Sequence, residues 1–114
     1  MSNWEKHVSE PWFSLIKKGV KSVEGRLNKG DFAKMKKGDI VVWINKNDKV
    51  RTKITSVHKY KSFNNYITTE KLKNTLPDTN VKTIQQGVDV YLKFYTKQDE
   101  TKYGVLAIRL KVFG

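Results

Sequence analysis

Residues 40–44, Ile-Val-Val-Trp-Ile, form an unbroken apolar run between two turn signals, Lys37-Gly38-Asp39 and Asn45-Lys46-Asn47-Asp48. In an extended segment successive side chains point to opposite sides, so both faces of this run are apolar. It needs cover on both sides, which predicts an interior strand of a closed sheet. The loop at 45–48 reads as a hairpin connection. Beyond it Val50, Thr52 and Ile54 alternate with Arg51, Lys53 and Thr55, predicting a half-buried strand with a basic outer face. The run is far shorter than the ~20 apolar residues a membrane span needs.

The remaining segments surround this sheet with helices. Ser9 can cap a helix whose first turn holds Pro11, with Trp12, Leu15 and Ile16 on one face and Lys17-Lys18-Gly19 as the stop. Val20–Leu27 reads as extended, with Val23 and Gly25 on one face and Ser22, Glu24 and Arg26 on the other. Asn28–Asp31 is a turn, and Asp31 can cap a short helical turn through Phe32 and Met35. Ser62–Leu76 reads as helical with a break, Thr69 capping a second helix. Residues 84–95 carry both strand-like and helix-like periodicity; their length favours a helix starting from Thr83. Tyr103–Phe113 alternates as a final strand. The order of helix, strands, helices and strand predicts an α+β domain over residues 1–114.

The 114 residues suffice for one modest core. Lys and Arg number 23 against 11 Asp and Glu, a net charge of +12. The excess lies at the front, with 15 basic and 6 acidic residues in 1–61 against 8 and 5 in 62–114. One basic surface attracting a polyanion is the functional expectation; an excess that only maintains solubility is the plain one. The absence of cysteine excludes disulfides and thiolate metal sites. His7 and His58 lack ligand spacing, so no metal and no cofactor are expected. The start Met-Ser-Asn-Trp-Glu-Lys has no apolar run behind a basic stretch, so an intracellular, cytoplasmic protein is expected, or a nuclear one in a eukaryote.

The segment with the most chemistry is Gly19-Val20-Lys21-Ser22-Val23-Glu24-Gly25-Arg26, a GxKxxExR pattern. Glu24 and Arg26 project from one face of a strand, about 7 Å apart. Lys21 falls on the opposite face of a regular strand and joins them only if the chain bends or if it precedes the strand. Together they would supply a point charge, a planar donor fork and an acceptor for an amino group. The competing reading is a surface ion pair worth ~0–1 kcal/mol. Trp12, Tyr60, Tyr91, Tyr95 and Tyr103 are candidates for base stacking, Tyr60 lying between Lys59 and Lys61; Trp12 and Trp43 also suit a core. Lys21 as a base or nucleophile and Glu24 or Glu70 as acid–base groups are the candidate catalytic residues, if they share one cleft.

In order along the chain, Leu15–Arg26 with its GxKxxExR core, Met35-Lys36-Lys37-Gly38-Asp39-Ile40-Val41, Phe63–Leu76-Pro77, and Val88–Tyr95 followed by Tyr103–Ile108 resemble the ASCH domain, a branch of the PUA-like superfamily. The resemblance spans roughly residues 9–112. It implies a small PUA-like β-barrel flanked by helices, a cleft lined by the signature residues, and a helix at the ambiguous 84–95. It implies RNA or a nucleotide as partner, held by Lys21, Glu24 and Arg26 with Lys17, Lys18 and Gly19 beside them and Trp12, Tyr60 or Tyr103 for stacking. Some members hydrolyse acetylated cytidine, and one is reported as a ribonuclease. The amidohydrolase pattern has Lys, then Thr three residues on, then Glu in the helical insertion. Lys21 matches the first, Glu24 stands in place of the Thr, and Glu70 is an unanchored match to the last. A binding module, a small nucleoside or RNA hydrolase and a protein-interaction module are therefore the competing functions.

Overall fold

The computed structural model describes residues 1–113. The elements run β1 Asn3–His7, α1 Trp12–Lys17, β2 Val23–Leu27, a 3₁₀ turn Gly30–Lys34, β3 Ile40–Asn45, β4 Asp48–Tyr60, α2 Phe63–Glu70, α3 Leu72–Thr75, α4 Ile84–Tyr91, α5 Lys97–Tyr103 and β5 Val105–Val112. The five strands form one sheet in the order β1-β3-β4-β5-β2. The β1–β3 pair is parallel and the other pairs are antiparallel. The sheet curls into a half-barrel and β3 lies between β1 and β4, the interior position expected, but only its concave face is fully covered: Ile40, Val42 and Ile44 on the outer face are half-buried. The curl leaves an open seam between the edge strands β1 and β2.

Alternation along β5 divides the core in two. Leu106, Ile108 and Leu110 face the concave side, where Val41, Trp43, Val50, Ile54, Phe13, Ile16 and Met35 pack. Val105 and Ala107 face the outer side, covered by Phe63, Tyr66 and Ile67 of α2 and Val88 and Tyr91 of α4. The wholly buried Trp43 donates its indole N–H to Thr52 Oγ1 at 2.9 Å, and that hydroxyl donates to the Val41 carbonyl. Trp43 is thus core.

Several boundaries differ from the sequence expectation. β1 was not foreseen; its register is held by β3, and the Asp39 carboxylate accepts from Ser2 N–H and the Trp4 indole. Ser9 does not cap α1: Glu10 accepts from the Ser14 backbone and hydroxyl instead. Asp31 caps nothing either and pairs with Lys6 at 2.6 Å. The helical break falls at Lys71, whose φ is +81°, and Thr69 caps no helix. Ser62 caps α2, and Thr83 with Gln86 forms a reciprocal capping box that starts α4. Helix, not strand, is therefore right for 84–91, though it ends sooner than expected. The polar helix α5 was not foreseen, and Tyr103 belongs to its last turn rather than to the final strand. No helix among the described residues is long and apolar enough to cross a membrane.

Candidate functional site

The seam between β1 and β2 holds a cavity of about 230 Å³. Its floor is Lys21, Glu24, Gly25 and Arg26, and its walls include Val8, Trp12, Leu76, Val90, Tyr91, Phe94 and Tyr95. The volume lies just below the ~300–1,000 Å³ of drug-sized sites, the scale of one flat heterocycle.

Local structure aims Lys21 at this floor. Helix α1 ends in a Schellman motif, with Val20 N–H donating to Leu15 O and Gly19 N–H to Ile16 O. Gly19 takes the left-handed φ of +78° that this reversal requires. The strand begins only at Val23, so Lys21 lies in the turn and swings to the side of Glu24. Ser22 ties the turn to its neighbours, donating to Asn74 O and accepting from Leu110 N–H.

The three charges form a chain, with Lys21 and Glu24 buried and Arg26 half-buried. Lys21 is 2% exposed; its ammonium donates to Val23 O at 2.7 Å and to Thr75 O, and stands 3.4 Å from Glu24 Oε1. Glu24 Oε2 accepts from Arg26 Nε at 2.9 Å and lies 2.8 Å from its Nη2 in the ion pair. The Arg26 guanidinium lies 4.7 Å from the Phe32 ring centre and 5.6 Å from that of Trp43, and reaches His7 O across the seam at 3.5 Å. The Lys21 ammonium is 5.6 Å from the Trp12 ring centre. Among the described residues no acceptor takes the Nη1 hydrogens of Arg26, and Glu24 Oε1 has only its loose contact with Lys21.

Burial lowers the pKa of Lys21, opposed by the charge of Glu24. Burial alone would raise Glu24, but the Arg26 and Lys21 charges outweigh it and hold the carboxyl below the usual carboxylate range. Burial and then the Glu24 charge push the Tyr91 phenol far up, so it is a neutral hydroxyl, hydrogen-bonded to Tyr66 at 3.1 Å. Tyr66 lies on Gly25, where an added Cβ would sit 2.6 Å from the ring.

Of the other candidates, Trp12, Tyr91 and Tyr95 reach the cavity and Lys17, Lys18, Gly19, Tyr60, Tyr103 and Glu70 do not line it. Lys17 pairs with Asp48 at 2.6 Å. The Tyr60 hydroxyl donates to Glu70, which also takes two hydrogen bonds from Arg109 at 2.9 Å. Burial would raise the Glu70 carboxyl; these donors outweigh it and keep it low. Glu24 and Glu70 therefore do not face one cleft. Tyr103 carries Lys29 and Lys102 over its ring at 5.0 and 5.1 Å. Phe94, 63% exposed at the rim of the cavity, was missed by sequence reasoning, as were Val8, Leu76 and Val90. The available signal is the i, i+3, i+4 spacing of Tyr91, Phe94 and Tyr95, which brings all three aromatics to the cavity. Among the described residues no cluster of three or more His, Asp or Glu could hold a metal ion.

The profile of the ASCH domain matches residues 7–113. The crystal structure of hypothetical protein PH0355 superposes with a TM-score of 0.89 at 36% identity, covering 97% of this chain and 99% of that one. The solution structure of protein PF0455 from Pyrococcus furiosus gives a TM-score of 0.80 at 33% identity, covering 97% of each chain. No curated protein matches the sequence.

Proposed function

Because the chain belongs to the ASCH domain family, a PUA-like domain of RNA-binding type, we propose that the seam cavity binds one nucleobase of an RNA or a nucleotide. The observation that carries this is the pairing of Glu24 with Arg26 on the floor of an aromatic-walled cavity. A carboxylate oxygen with spare acceptor capacity beside unused guanidinium hydrogens complements a base edge that presents an amino group next to a ring nitrogen or carbonyl. Trp12, Tyr95 and Phe94 supply faces against which a ring can stack. Lys21 acts from behind: it neutralises Glu24 and fixes its orientation without touching the ligand.

The test is calorimetric titration with nucleoside monophosphates and short single-stranded RNA at low salt. Saturable binding to the wild type is expected, weakened at least tenfold by Arg26→Gln, in line with the ~1–3 kcal/mol of a bidentate base contact. No binding at low salt would sink the reading.

A small nucleoside hydrolase is the second reading, and the lowered pKa of Lys21 is what favours it. Against it, the three ammonium hydrogens already face Val23 O, Thr75 O and Glu24, which leaves no lone pair directed at a substrate. Incubation with acylated nucleosides separates the two: turnover by the wild type that Lys21→Ala abolishes would establish the enzyme.

A further inference from the structure

The helices cover only part of the outer face of the sheet. Phe63, Tyr66, Ile67, Val88 and Tyr91 pack over β2 and β5, and Glu70 reaches across to Arg109 and Tyr60 at the margin of that layer. Beyond this margin the same face of β1, β3 and the first half of β4 is bare. Directly paired residues share a face, so the registers Ile40↔Lys53, Val42↔Arg51, Ile44↔Lys49 and Lys53↔Lys111 place four exposed cations beside a half-buried apolar strip. Among the described residues Lys49, Arg51, Lys53 and Lys111 have no carboxylate within ion-pair distance. Glu5, opposite Val42, is the one anion in these rows. The Arg51 guanidinium lies over Phe113, 4.8 Å from the ring centre, and a groove of about 570 Å³ runs over Val42 between Glu5, Lys49 and Phe113.

Like charges directly opposite on neighbouring strands destabilise a sheet. Lys53 and Lys111 are such a pair, where the bare face meets the end of β5. A symmetric pairing with a second copy of this chain would bring the same four cations against their equals, so charge opposes that pairing and calls for an anionic occupant. Along β4 the cations recur every second residue, a step of about 7 Å. That is a ladder matched to a repeated, evenly spaced charge rather than to a single anion.

We infer that the bare outer face of β3 and β4 is a second nucleic-acid contact, holding the phosphate backbone of single-stranded RNA through Lys49, Arg51, Lys53 and Lys111. Its partner class rests on the RNA reading above, but the contact does not require the seam cavity. It reads no sequence, because phosphate contacts position a strand and base contacts specify it. It makes the ligand an RNA strand with at least several phosphates rather than a free nucleotide.

The test compares the wild type with the fourfold variant Lys49→Ser, Arg51→Ser, Lys53→Ser and Lys111→Ser, after thermal melting and circular dichroism establish that both are folded. Binding of a twelve-nucleotide single-stranded RNA and of a nucleoside monophosphate is measured against salt. Each neutralised phosphate on a single strand contributes about 0.7 to the log–log slope. The variant should lose about 2–3 units of slope with the RNA and bind the monophosphate unchanged. If the slopes are equal, the inference is overturned and the cavity reading stands. If no monophosphate binds to either protein but the RNA slope still drops, the cavity reading fails and the inference stands. If poly-glutamate binds the wild type as tightly as the RNA and is lost equally in the variant, the face recognises acidic protein and the inference is overturned.

Discussion

Glu24 is the residue on which the site turns, because it alone pairs with the buried Lys21 and the half-buried Arg26. Removing one partner of a buried ion pair leaves an unpaired charge, at a cost of about 3–5 kcal/mol. Glu24→Ala should lower stability by that amount in urea unfolding, a large share of the ~5–15 kcal/mol of a small domain. Gly25 is constrained by its neighbour: Gly25→Ala would drive a Cβ into Tyr66, and the overpacking should cost about 1–3 kcal/mol in the same measurement. At this scale the sequence was partly legible. The pairing of Glu24 with Arg26 follows from strand alternation, whereas the arrival of Lys21 depends on where the strand begins, which spacing does not state. Tyr60 reads as a stacking candidate between two lysines, yet it closes β4 and gives its hydroxyl to Glu70.

Elements were legible where their own residues carry the pattern. The β3–β4 hairpin, the cap at Thr83 and the stop at Gly19 are local features, and all three stand in the fold. β1 and α5 are not of that kind. The β1 strand is held by a parallel pairing with residues 37 positions away, and α5 (Lys-Gln-Asp-Glu-Thr-Lys-Tyr) has no apolar stripe to betray a helix. The helical break was expected at Thr69 and lies at Lys71, because the chain turns through a left-handed backbone at a residue with no sequence signal for it. That conformation suits glycine and costs a lysine about 1–3 kcal/mol, offset in part by the greater freedom of an unfolded glycine. Lys71→Gly should therefore raise stability by about 1 kcal/mol, read as a higher melting temperature. No rise would mean that neighbouring contacts, rather than backbone strain, decide this position.

Across the whole molecule, charge separates into two uses. Within the seam the cations are paired and at least half-buried; on the bare sheet face they are unpaired and exposed. Acidification tests the first use. Glu24, Glu70 and Asp39 all have carboxyls held below their unfolded values, so the stability they contribute is present above about pH 4 and lost as the pH falls through their folded pKa values. The melting temperature should change little between pH 7 and 5 and fall steeply below pH 4, when protonation also adds to the self-repulsion of a +12 chain. The central claim is that the seam cavity takes a nucleobase, and Phe94 tests it most directly. Phe94 lies on the rim, largely exposed, apart from the buried charges, so Phe94→Ala should leave the fold and the melting temperature intact. Calorimetric titration with nucleoside monophosphates should then show affinity reduced by the ~1–3 kcal/mol of one lost stacking contact, about 5- to 150-fold. Equal affinity for the variant and the wild type would contradict the account.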